Sequence, residues 1–186
     1  MLDQIRFLLI FFIMALSFSY GNYARNKHDV YLLRAAMLLT LTADFCMLIL
    51  GENEIGVLIF CLVQIIYNLR YTNLKRTAGL LAVLFSISCI VIQLAIWGLL
   101  EKLSILYAVC FTFSLFGAAK SFKAYCFPNN YLMVLGMTLF MLCDINVLLY
   151  NIDTFASTRW IFSNLIWVFY LPSQILLALS GKKMYE

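Results

Sequence analysis

The chain has 186 residues, 65% of them hydrophobic and only 12% charged, with a mean hydropathy of +0.95, whereas soluble domains are nearer one quarter charged. Membrane-length apolar segments use up nearly all of this length, so no separate soluble catalytic or nucleic-acid-binding domain is expected within it. The net charge of +4 fits loop charges that orient a membrane protein, not a nucleic-acid surface.

Seven apolar segments follow in order: 5–21, 30–51, 54–71, 77–100, 103–122, 129–151 and 159–180. Crossing the hydrocarbon takes about 20 helical residues, and each segment fits that length. Backbone groups in lipid must bond within their own segment, so helices are expected. The first segment has a front end, Met-Leu-Asp-Gln-Ile-Arg, that is not clearly basic, and no Ala-x-Ala site follows, so it reads as an uncleaved helix. The second segment carries Asp44. The third carries Gln64, Tyr67, Asn68 and Tyr71 at i, i+3, i+4 and i+7, on one helical face. The fourth adds Ser86 and Gln93, and the fifth Tyr107 and Ser114. The sixth carries Asp144. The seventh carries Asn164, Trp167, Tyr170 and Gln174 on one face, with Pro172 inside the stretch. The expected fold is all-α: one polytopic membrane helix bundle over residues 1–186, with about seven transmembrane helices.

Basic residues divide by side. Arg25, Lys27, Arg70, Lys75, Arg76, Lys120, Lys123, Lys182 and Lys183 flank one side, nine in all, against Arg6, Lys102 and Arg159 on the other. The positive-inside rule then puts the amino terminus outside and the carboxyl terminus in the cytoplasm. The expected location, a separate reading, is the plasma membrane of a bacterium. Arg34, just inside the second helix, is expected to snorkel to the interface. Trp97 and Trp160 read as interfacial belt residues.

Asp44 and Asp144 are the two acids set in unbroken apolar surroundings. The other seven (Asp3, Asp29, Glu52, Glu54, Glu101, Asp153 and Glu186) fall at termini or polar breaks. A carboxylate in hydrocarbon costs several kcal/mol unless it is paired, solvated or protonated, so such residues mark pathways or active sites. Each aspartate lies about seven residues before its helix ends, roughly 10 Å deep. Helices two and six should run the same way, which suggests a parallel 3+1+3 internal repeat. The amides, hydroxyls and tyrosines are expected to face the bundle interior. The plain reading of those side chains is interhelical glue worth about 0.6 kcal/mol each. The six cysteines have no CxxC pair and read as small packing residues. His28 is the one histidine, which excludes metal catalysis of the multi-histidine type.

Two blocks resemble the YhhN-like lysoplasmalogenase family of membrane hydrolases. The first runs Ala43-Asp44-Phe45-Cys46-Met47-Leu48-Ile49-Leu50, then Gly56 to Tyr67. The second is Gly136-Met137-Thr138-Leu139-Phe140-Met141-Leu142-Cys143-Asp144, followed by Trp167 to Gln174. Tyr107 and Ala118-Ala119 are also similar to the family pattern. Both aspartates and the late Tyr-x-x-x-Gln are kept. Gln64 stands where the family usually has histidine, Ala43 replaces a glycine and Cys143 replaces a serine. One helix fewer is expected than the eight typical of the family.

The resemblance implies hydrolysis of the vinyl-ether bond of a lysophospholipid, with catalytic Asp44 and Asp144 and no cofactor. Substrate contacts would come from Gln64, Tyr67, Tyr107, Tyr170 and Gln174, with Arg159 near the lipid phosphate. Apolar burial disfavours a charged carboxyl and a second carboxylate disfavours it further, so two acids in one pocket tend to share a proton. That suits acid–base chemistry at neutral pH. The alternative is a proton-coupled transporter or a lipid- or ligand-binding protein without catalysis, since paired acids near a vestibule also serve proton-linked transport.

Overall fold

The computed structural model describes residues 2–19, 27–72, 74–93, 98–124, 128–151 and 157–183. Among these residues there are seven α-helices: α1 (Leu2–Ser19), α2 (Lys27–Phe45), α3 (Asn53–Tyr71), α4 (Leu74–Ile92), α5 (Leu99–Ala124), α6 (Pro128–Asn151) and α7 (Arg159–Leu179). No strand occurs among the described residues. Six of the helices are long and apolar enough to cross a membrane, and α4 supplies a shorter apolar run, Thr77–Ser88. The protein is a multi-pass membrane helix bundle.

Side-chain pairings give the direction of each helix. Ala43 on α2 and Met47 just beyond its end lie at Gly56 of α3 while Asp29 meets Arg70, so these helices are antiparallel. On α6 and α7, Phe140 meets Tyr170 and Asn129 meets Ser180, again antiparallel. On α3 and α5, Phe60 meets Tyr107 and Tyr71 lies at Gly117, so these two run the same way. α4 must therefore carry the chain back between them, and its 19 residues span about 28 Å. α2 and α6 end up parallel, with Asp44 and Asp144 toward the same end of the bundle, here called the carboxylate end. The tightest packing is α6 on α7, α2 on α3 and α3 on α5, with α1 against α2 and α7.

The fourth and fifth helices depart from their expected bounds. α4 stops at Ile92 where the apolar run suggested 100, and α5 starts at Leu99, ahead of the expected 103. Gln93 sits exposed in the turn after α4, and Trp97 lies outside the described residues. A break within an apolar run leaves no trace in hydropathy, which registers burial and not backbone conformation. Ser86 also departs from expectation: it is exposed and donates to the Ala82 carbonyl of its own helix at 3.0 Å, so it does not face the interior. Asn164 is exposed too.

The end opposite the carboxylates is closed by an ion pair that loop counting missed. Asp29 and Arg70 are both buried, at 5% and 6% exposure, where the sequence suggested a polar break and a loop cation. Arg70 Nε and Nη2 donate to the two Asp29 oxygens, each at 3.1 Å. Its Nη1 donates to Ser180 Oγ at 2.9 Å. One guanidinium thus ties α2, α3 and the end of α7 together, and the planar fork suits a bidentate carboxylate. Asn129 adds hydrogen bonds to the Ser180 and Lys182 carbonyls. Arg34 lies near this end, with Nε on the Ser17 carbonyl at 3.0 Å and its guanidinium over the Phe18 ring.

Small residues let the helices approach closely. A Cβ on Gly136 would come within 2.9 Å of Leu177 Cγ and 3.2 Å of the Ser173 carbonyl oxygen. Gly136→Val should therefore lower the unfolding temperature in detergent by several degrees, the result of overpacking by about 1–3 kcal/mol. Gly79→Val, where nothing lies within 4 Å, is the control that should leave it near wild type.

Candidate functional site

Each membrane aspartate is held by a tyrosine from a different helix. Tyr170 on α7 donates its hydroxyl to Asp44 Oδ2 at 2.7 Å. Tyr107 on α5 donates to Asp144 Oδ2, also at 2.7 Å. Asp44 is 5% exposed and Asp144 is part-buried. These pairings supply the partner that a carboxyl in hydrocarbon requires. They also fix the carboxylates, because each tyrosine engages one oxygen and orients the other.

The two pairs form one cluster. Cys143, adjacent to Asp144 and 3% exposed, lies within electrostatic reach of both carboxylates. Tyr170 lies within reach of Cys143 and of Tyr107 as well as of its own aspartate. The Gln64 amide sits beside the Tyr107 hydroxyl. Four of the expected substrate contacts therefore gather here: Gln64, Tyr107, Tyr170 and, one turn further along α7, the buried Gln174. Tyr67 is buried one turn deeper on α3 and stacks on Tyr71 with ring centroids 5.7 Å apart. Arg159, the first residue of α7, stands about three turns from Tyr170, outside the cluster.

Aromatic packing sets the positions of the tyrosines. Phe140, 2% exposed, meets Phe60, Phe111 and Tyr170 with ring centroids at 6.1, 5.5 and 5.7 Å. Tyr107 is held between Phe60 at 6.2 Å and Phe111 at 5.9 Å. These are edge or tilted contacts, the arrangement the ring quadrupoles favour. Phe140 precedes Asp144 by one helical turn, so the i, i+4 spacing puts ring and carboxyl on one face of α6. Trp167 packs edge-on to Tyr170 at 5.6 Å, and the Arg6 guanidinium covers Trp167 at 4.6 Å. Arg6 also pairs with Asp3 at 2.9 Å. The sequence placed Arg6 among the loop cations; folding brings it over the indole beside the Asp44 partner.

Backbone irregularities flank both sides of the Asp44–Tyr170 pair. Immediately after Asp44 and Phe45 the helix widens into a π turn, Cys46–Leu50, ended by Gly51 at φ 75°. The Glu52 N–H donates to the Cys46 carbonyl at 2.9 Å. Single π turns are frequent at functional sites. On α7, Pro172 has no N–H for the Val168 carbonyl, and the Ser173 hydroxyl donates to the Tyr170 carbonyl at 2.7 Å.

Some participants were hidden in the sequence. Phe60, Phe111 and Phe140 are three of sixteen phenylalanines, and pattern alone does not separate a positioning ring from a lipid-facing one. Thr40 was also missed, although its spacing from Asp44 (i−4) was available as a signal.

Residues 4–181 match the YhhN family, and the chain belongs to that family. No curated protein and no solved structure gives a significant match.

Proposed function

We propose that this YhhN-family protein is an intramembrane hydrolase that opens the vinyl-ether bond of a lysophospholipid, with Asp44 and Asp144 as its acid–base pair. The observation that carries the reading is the pair of tyrosine-held carboxyls on parallel helices, their tyrosines joined through Phe140 and its ring partners Phe60 and Phe111. Family membership supports it. So does the other half of the bundle: Leu33, Met37, Val63, Met133, Met137 and Leu177, all 2% exposed or less, fill the interior, and Asp29–Arg70 closes the far end. That arrangement favours a one-sided site over a conduction path.

The chemistry uses one protonated and one ionised carboxyl. The protonated aspartate transfers its proton to the β-carbon of the enol ether, leaving an oxocarbenium ion. The ionised partner takes a proton from water as the water oxygen bonds to the adjacent carbon, the one that carries the ether oxygen and the cationic charge. The hemiacetal then collapses to a fatty aldehyde and a glycerophospho-base. A glutamine at position 64 forms hydrogen bonds but does not relay protons at neutral pH, so the two aspartates carry the acid–base steps. The bilayer is the source of the substrate, which reaches the site from the plasma membrane of a bacterium.

The test is incubation of purified protein with a lysoplasmalogen, with release of free aldehyde as the readout. The saturated-ether analogue serves as control. Aldehyde from the vinyl ether alone supports the proposal; none from either lipid defeats it. Tyr170→Phe removes one hydrogen bond to Asp44 and keeps the ring that packs on Phe140. The rate for Tyr170→Phe should fall about tenfold, in line with a lost hydrogen bond to a charged group, with the unfolding temperature near wild type.

A further inference from the structure

Beneath the carboxylates lies a set of polar groups that the acid–base pair does not use. Thr40, Gln64 and Gln174 are 1%, 0% and 1% exposed. Thr40 Oγ1 and Gln174 Oε1 make no hydrogen bond with the described residues, and the Gln64 amide has only the Tyr107 hydroxyl beside it, which leaves most of its hydrogen-bonding capacity unused. The Gln174 amide nitrogen reaches only the neighbouring Ser173 Oγ, at 3.5 Å.

Helix register puts Thr40 and Gln174 at one level, with Gln64 on the neighbouring α3. Tyr170 on α7 meets Asp44 on α2, and Arg70 joins Asp29 at the start of α2 to Ser180 at the end of α7, so the two helices are antiparallel. One turn inward from that contact is Thr40 on α2 and Gln174 on α7, each on the same face as its pair member. Gln64 joins from α3: its own carbonyl accepts the Ser114 hydroxyl at 2.7 Å, and its amide reaches toward Tyr107. A buried polar side chain left without a partner costs about 1–3 kcal/mol. Three together, next to a site that consumes water, are a place where water satisfies them, since a buried water typically makes about three hydrogen bonds.

We propose that Thr40, Gln64 and Gln174 are the water-holding floor of the site, positioning residues that bind and aim the water consumed in hydrolysis. This rests on the hydrolase reading above. In the addition step the held water forms its C–O bond to the oxocarbenium carbon and passes one proton to the ionised carboxylate. Methanol added to the reaction competes for the same cation and is trapped as a mixed acetal in place of aldehyde.

The experiment measures the ratio of acetal to aldehyde at a fixed methanol concentration, together with kcat and KM. Thr40→Val keeps the side-chain shape and removes the hydroxyl. Its acetal fraction should rise by roughly fivefold, the effect of one lost hydrogen bond on the held water. The kcat should drop while KM stays near wild type, and Thr40→Ser should restore the wild-type ratio. Gln174→Leu makes the same test from α7 should Thr40→Val not fold. Wild-type protein that releases no aldehyde overturns the hydrolase reading and this one together. Aldehyde release with an unchanged acetal ratio in Thr40→Val and Gln174→Leu overturns the water floor alone. A Thr40→Val protein that melts higher than wild type also overturns it, because removing an unhydrated hydroxyl would relieve the structure.

Discussion

Aldehyde release falls by about two to four orders of magnitude in Asp44→Asn and in Asp144→Asn, the usual contribution of a positioned acid or base. Asparagine is close to the same size, and its amide oxygen can still accept the tyrosine hydroxyl. The hydrogen bonds from Tyr170 and Tyr107 therefore survive, as does the packing of Phe140. What is lost is the ability to hold and release a proton. Unfolding temperatures at or above wild type in both variants separate this from a folding defect. Placing an amide where a carboxyl lay buried removes the risk of an uncompensated charge. A variant retaining wild-type turnover takes that aspartate out of the reaction.

Arg70→Met is expected to have the largest effect on stability. It leaves Asp29 buried without its cation, and breaking such a pair from one side costs about 3–5 kcal/mol. For a chain of this length that corresponds to a drop of roughly 10 °C in unfolding temperature. The guanidinium also holds Ser180, so the end of α7 loosens with the loss. The double variant Asp29→Leu/Arg70→Met should recover most of the stability, because two apolar groups can replace a buried ion pair with little net change. Thermal unfolding in detergent reads both. A single variant that melts with wild type would show the pair to be dispensable.

These two sites differ in how legible they were. Asp44 and Asp144 stood out because an acid in an apolar helix has no inexpensive explanation, and the same applied to the amide and tyrosine stripe on α3. Asp29 and Arg70 did not stand out. Each lies within a turn of a helix end, where solvated charges are common, and only the meeting of α2 with α3 shows that both are buried. Arg6 was masked in the same way, since its position over Trp167 depends on α1 packing against α7. The assignment of Tyr170 to Asp44 and of Tyr107 to Asp144 depends on helix order around the bundle, which periodicity within one helix does not encode. The end of α4 at Ile92 was invisible for a different reason: hydropathy registers burial and not backbone conformation.

The central claim is that two carboxyls act as one unit on one bound lipid. Its most direct test is a double-mutant cycle on aldehyde release from lysoplasmalogen, using wild type, Asp44→Asn, Asp144→Asn and the pair combined. Groups that work as a unit are strongly non-additive, so the double variant should be about as active as either single one. A double variant slower than both by the product of the two separate losses would show that the aspartates act independently, and would contradict a shared acid–base site.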